Sequence, residues 1–189
     1  MEVRRRTVGQ LYERGRFLVV EQDLMDLADP PRPSGVEIAS FEGPDWSPLE
    51  HLAPLRTLRA FARRDAGDHS RCLVAWRNGR AAGYDWWSRR LDPQLDLLAV
   101  PLPPGTAYGH DLYVAAQERS QGIGTALAHE RLVDARDQGF RSLRRLIEVG
   151  NQGSWRTAQR LGSHRVVGES SFVKTPGRLR VRYSPFERG

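Results

Sequence analysis

Between residues 108 and 149 the sequence switches period twice, and few folds accommodate that switch. The run His110-Asp111-Leu112-Tyr113-Val114-Ala115 reads as a strand. Glu118-Arg119-Ser120-Gln121-Gly122-Ile123-Gly124 follows, and a helical pattern starts at its end. Ile123, Leu127, Leu132 and Ala135 approximate one helix face, and Gly139 is a natural stop. A second strand-like run begins at Leu143 and ends at Val149. Two strands joined through a helix are expected to lie parallel, with a right-handed crossover. The loop between strand and helix has its own chemistry. Its two glycines let the backbone approach a ligand closely. The helix start presents unpaired N–H groups and a positive dipole end, which together cradle an anion such as a phosphate. A Walker loop is excluded because its lysine is absent, and the dinucleotide fingerprint fails because Leu127 stands where a third small residue belongs.

The rest of the chain sets this unit in a larger sheet. Residues 36–41 alternate apolar and polar, as a half-buried strand does. Leu49, Leu52, Leu55, Leu58 and Phe61 recur at helical spacing, but Pro48 and Pro54 break the pattern into successive turns. Asn78-Gly79 between two strand-like runs is a hairpin signal. A helix over 153–162 with a glycine stop and two closing strands around Thr175-Pro176-Gly177 complete the order. The fold class is therefore α/β: a mixed, mostly antiparallel sheet of about seven strands flanked by helices, with a central parallel strand–helix–strand unit. Asp29-Pro30-Pro31-Arg32-Pro33-Ser34-Gly35 reads as a boundary. Residues 1–35 are expected to form an N-terminal extension packed on a core domain of residues 36–189, covering a sheet edge or mediating a dimer.

Composition narrows the class of function. The chain has 189 residues, which suffices for a real core. A single cysteine, Cys72, excludes a disulfide framework and a cysteine-rich zinc site. It lies in an apolar run, where a buried apolar role is expected. The histidines show no metal-ligand spacing, so no metal is expected. No apolar run approaches a membrane span or a signal-peptide core, so a cytoplasmic protein with no membrane partner is expected. The net charge is +6, but 23 acidic residues are interleaved with the 29 basic ones, of which only Lys174 is lysine. That pattern reads as solvated surface rather than a nucleic-acid tail, and no nucleic-acid partner is expected.

Arg119-x-x-Gly122-x-Gly124 after Leu112-Tyr113-Val114 resembles the acyl-CoA N-acyltransferase (GNAT) superfamily. Leu146-Ile147-Glu148-Val149 resembles that family's next strand, and Asn151, Ser154 and Leu161-Gly162 resemble its following helix. The resemblance implies transfer of an acyl group, most simply acetyl from acetyl-CoA, to a primary amine by direct attack in a ternary complex. The acceptor would be a small-molecule or peptide amine, and the protein a monomer or homodimer. The resemblance also implies that the two parallel strands splay at their C-terminal ends to admit the pantetheine arm. Leu112, Tyr113 and Val114 would run beside that arm. A backbone N–H there would stabilise an oxyanion. Arg119, Ser120, Gln121, Gly122, Ile123, Gly124 and Thr125 would hold the pyrophosphate, and Asn151 and Ser154 would contact the cofactor.

Acyl transfer to an amine needs a base near neutral pH. Glu148 matches a position that serves as base in some members of the family. Tyr108 and His110 share a strand face with Leu112 and are further candidates. Asp111 lies on the opposite face, so it joins His110 in one pocket only through a bulge, as base or substrate anchor. Ala158 stands where many members carry a tyrosine to protonate the thiolate. Tyr108, Tyr113, Ser154 or water remain as donors, and an acyl-CoA-binding regulatory module without catalysis is the alternative. Asp65, Asp68 and His69 mark a loop where the family often contacts its acceptor. Of Trp86-Trp87, one indole is expected in the core and the other in the acceptor pocket.

Overall fold

The computed structural model describes residues 13–67, 69–91 and 100–186. Eight strands form one sheet in the order β2-β3-β4-β5-β6-β1-β7-β8. These are β1 (Glu13–Leu27), β2 (Val36–Phe41), β3 (Ser70–Arg77), β4 (Arg80–Ser88), β5 (Thr106–Val114), β6 (Ser142–Glu148), β7 (Gly162–Thr175) and β8 (Arg178–Pro185). The α-helices among the described residues are α1 (Leu55–Asp65), α2 (Ile123–Asp137) and α3 (Gln152–Arg160). Among the described residues only β5 and β6 pair in parallel, and the other pairs are antiparallel. The hairpin turn between β3 and β4 has Asn78 at φ 51° and Gly79 at φ 73°, the left-handed pair that a two-residue turn needs. Among the described residues no helix is long and apolar enough to cross a membrane.

The N-terminal segment departs from the expected extension. Residues 13–27 form a strand inside the sheet, paired with β6 on one side and β7 on the other. Val19, Val20 and Leu24 are fully buried there. Neighbours so distant in sequence leave no local signal of this placement. The expected extension residues 1–12 lie outside the described residues.

Each face of the sheet carries its own core. On one, Trp46, Leu49, Phe61, Cys72, Val74, Tyr84 and Trp86 pack together beneath α1. On the other, Ile123, Leu127, Leu132 and Ala135 bury the predicted face of α2 against β3, β4 and β6. Trp87 is wholly buried on that side and donates from Nε1 to Asp134 Oδ2 at 2.7 Å. Trp86 is equally buried, so neither indole lines an acceptor pocket, contrary to expectation. Beneath the sheet, Arg131 of α2 reaches Asp85 of β4 at 2.7 Å. It crosses β5 at Gly109, where a Cβ would come within 3.0 Å of Arg131 Nε and 2.8 Å of Leu143 Cδ2. Burial pushes the Asp85 carboxyl up to about 6, although Arg131 and Arg145 oppose the shift.

Candidate active site

The parallel pairing of β5 with β6 runs from Thr106–Ser142 to Gly109–Arg145 and stops. Beyond it β5 stays on β4 through Val114, while β6 stays on β1 through Glu148. The two strands therefore part over their last residues, and a cleft opens between them.

The predicted anion loop closes one end of this cleft. A 3-10 turn, Ala116–Glu118, leads into it. Ser120 at φ 63° and Gly122 at φ 83° then turn the chain into α2. No side chain caps that helix, and a Cβ at Gly122 would meet nothing within 4 Å. The first amides of α2 thus have no side-chain cap. Arg119 is anchored from Nε to the Val114 carbonyl at 3.1 Å, with its guanidinium 5.8 Å from the Tyr113 ring centre.

A cavity of about 720 Å³ gathers Leu112, Tyr113, Val114, Arg119, Ser120, Gly122, Gly124, Thr125, Asn151 and Ser154. Ten of the twelve predicted cofactor-site residues thus share one wall set. The other two are placed differently. Ile123 turns its side chain into the core with 1% exposure, and the Gln121 side chain bonds to Arg77 and the Gln117 carbonyl. Asn151 caps α3, its Oδ1 accepting from Ser154 N at 3.0 Å. The cavity also holds Arg156 and Arg160, which the sequence reading missed. Their spacing of four sets both on one face of α3, a signal present in the sequence but not used.

The four candidate catalytic residues do not share one environment. Tyr108 is buried at 5% exposure with Val19, Val100 and Leu146. His110 stacks against Trp86 and Tyr108, and its Nε2 lies 2.8 Å from Ser88 Oγ. Asp111 has φ 53° and marks a bulge: two steps on β4, from Tyr84 to Trp86, face three on β5, from Tyr113 to His110. This bulge brings Asp111 Oδ2 within 3.7 Å of His110 Nδ1, the condition under which the two can share a pocket. Glu148 ends β6 exposed, opposite Phe17, and among the described residues its side chain has no partner. Its carbonyl accepts from Asn151 N at 2.9 Å, tying it to the start of α3.

A second cavity, about 550 Å³, lies on the α1 side and is lined by Thr57, Ala60, Arg64, Tyr84, Asp111, Leu112 and Tyr113. It shares Leu112 and Tyr113 with the first. Of the loop residues expected at the acceptor, Asp65 accepts from Gly43 N at 3.1 Å and His69 bonds to the Gly67 carbonyl. Neither lines this cavity, and Asp68 lies outside the described residues.

The sequence model of the acetyltransferase (GNAT) family matches residues 35–163. The chain belongs to that family. A GNAT fold is also what the solved structures share. A Drosophila protein superposes with TM-score 0.65 at 15% identity over 87% of this chain, which spans 52% of that protein. The aminoglycoside N-acetyltransferase AAC(6')-Iy, solved with CoA, gives TM-score 0.54 at 21% identity, covering 69% of this chain and 92% of its own. A GCN5-related N-acetyltransferase from Kribbella flavida gives 0.53 at 19%, covering 92% and 65%. No curated protein matches the sequence. Within the GNAT domain no group of three or more His, Cys, Asp or Glu side chains among the described residues is placed to hold a metal ion.

Burial raises the Asp111 carboxyl, but His110 and the Arg64 guanidinium outweigh it and hold the group well below the usual carboxylate range. Its folded pKa is therefore lower than its unfolded value near 4. The stability it contributes is present above about pH 4 and is lost as pH falls toward the folded value. Asp111→Asn should thus be less stable than wild type at pH 5, with the gap closing toward pH 2. Urea midpoints at the two pH values measure this, and a gap independent of pH would contradict the Arg64–Asp111–His110 pairing.

Proposed function

We propose that this GNAT protein transfers an acetyl group from acetyl-CoA to a primary amine of a small molecule or peptide. The observation that carries the reading is the meeting of two cavities at Leu112 and Tyr113, where β5 leaves β6. One cavity suits an extended phosphorylated donor and the other an acceptor. Acetyl-CoA, when bound, supplies the activated thioester acyl group. Amides from Ser120 to Thr125 and the positive end of α2 would bind its pyrophosphate, with Arg119 beside them. Arg156 and Arg160 add positive charge along the same wall, suited to its remaining phosphate. The edge of β5 over 110–114, which has no strand partner on the β6 side, would pair with the amides of the arm.

Glu148 is the base in this reading. It is exposed at the end of β6 and has no ion-pair partner among the described residues. Asp111 is held ionised by its neighbours and makes a poor base, so it orients rather than deprotonates. Tyr113 lines both cavities and is the hydroxyl best situated to return a proton to the departing sulfur. Tyr108, buried among apolar side chains, is not.

The test is a thermal-shift series followed by turnover. A ligand at 100 times its Kd stabilises the native state by about 2.7 kcal/mol, roughly 5–10 °C for a chain of this size. Acetyl-CoA and CoA should give that shift, and NAD and ATP should not. Glu148→Gln should then lower kcat by about a hundredfold with donor affinity nearly intact. Acyl-CoA binding without turnover on a broad amine panel would instead indicate a regulatory module, and no shift with any CoA would end the reading.

A further inference from the structure

We infer that Arg77, at the end of β3, is a positioning residue for the donor loop. The inference rests on the donor reading above. The Arg77 guanidinium Nη1 donates to Glu118 Oε2 at 2.8 Å and also to Gln121 Oε1. Gln121 in turn donates from Nε2 to the Gln117 carbonyl at 3.2 Å. One side chain from the β3–β4 hairpin thereby grips the loop on both sides of Arg119-Ser120. The Arg77–Glu118 pair is partly buried, with side-chain exposures of 27% and 22%. Arg77 itself does not line the donor cavity, so it acts through the loop.

The loop needs such a restraint. Ser120 sits at φ 63° without being glycine, a conformation that persists only where its surroundings enforce it. Gly122, at φ 83°, has no neighbour that a side chain would touch and supplies no packing of its own. Between them lies Gln121, whose side chain Arg77 fixes. If this grip is released, the amides leading into α2 lose the convergent arrangement that an anion requires, while β5, β6 and the acceptor cavity stay as they are.

The test combines exchange in the ligand-free protein with kinetics. The amides of Glu118 and Arg119 bond to the Ala115 and Ala116 carbonyls at 2.9 and 3.4 Å. In Arg77→Ala their hydrogen exchange should quicken about tenfold, with residues 143–147 of β6 unchanged. KM for acetyl-CoA should rise about tenfold, and kcat at saturating donor should stay within twofold of wild type. Arg77→Lys, which keeps a charged donor, should recover part of both effects. Unchanged exchange at Glu118 and Arg119 overturns the grip whatever happens to the kinetics. Faster exchange with unchanged donor KM overturns its positioning role. A wild-type protein that binds no acyl-CoA defeats the donor reading instead, and that result is visible before any variant is made.

Discussion

Gly122→Glu should weaken acetyl-CoA binding about a thousandfold and leave the fold in place. Gly122 has φ 83°, so any side chain there pays a left-handed backbone cost of about 1–2 kcal/mol. Space is not the obstacle, because a Cβ would meet nothing within 4 Å. The larger effect is charge. The new carboxylate would occupy the uncapped start of α2, where the donor phosphates are proposed to bind, and like charges so placed cost several kcal/mol. A charge cost of about 4 kcal/mol is a thousandfold in Kd, whereas the backbone cost falls on the free and bound protein alike and lowers stability instead. Gly122→Ala separates the two contributions, since it keeps the backbone cost and adds no charge; its melting point should fall with that of Gly122→Glu, while its Kd stays within about threefold of wild type. Isothermal titration with acetyl-CoA reads both variants, and the melting point of the free proteins reads the fold. Equal losses for alanine and glutamate would mean that no anion sits at the helix start.

The turn into α2 was legible because its signal is local. Two glycines, an arginine and a helical period occupy adjacent positions, and the backbone geometry follows from them. The Asn78-Gly79 hairpin and the Gly139 stop, at φ 89°, were legible for the same reason. What escaped has its cause elsewhere in the chain. The place of β1 between β6 and β7 depends on partners more than a hundred residues away. The bulge at Asp111 arises from a register mismatch with β4, and alternation along β5 alone puts Asp111 and His110 on opposite faces. Arg77 reaches the donor loop across 41 and 44 residues to Glu118 and Gln121, and no spacing rule links a hairpin arginine to a loop glutamine. The candidate catalytic set divides similarly. Glu148 was marked by a motif, whereas only the folded chain shows Tyr108 enclosed and Asp111 ion-paired.

Asp85→Ala should destabilise the protein by about 3–5 kcal/mol, the range for stripping a buried charge of its partner. Asp85 is wholly buried, Arg131 is 1% exposed and Arg145 is 5% exposed. Arg131 holds Asp85 at 2.7 Å, and burial, with repulsion from the Arg131 guanidinium added to it, lowers the Arg145 pKa to about 9. Among the described residues this buried cluster under the sheet thus contains two cations and one anion. Removing the anion leaves both cations in a low-dielectric interior without their described counter-charge, and the melting point should fall by roughly 6–20 °C. The pair itself need not be stabilising, because the desolvation of Asp85 and Arg131 opposes their attraction. Asp85→Ala combined with Arg131→Met should therefore regain much of the loss, giving a large coupling energy in a double-mutant cycle. Additive losses would mean that Asp85 and Arg131 act independently, and the crossing of Arg131 beneath Gly109 would then owe its place to packing alone.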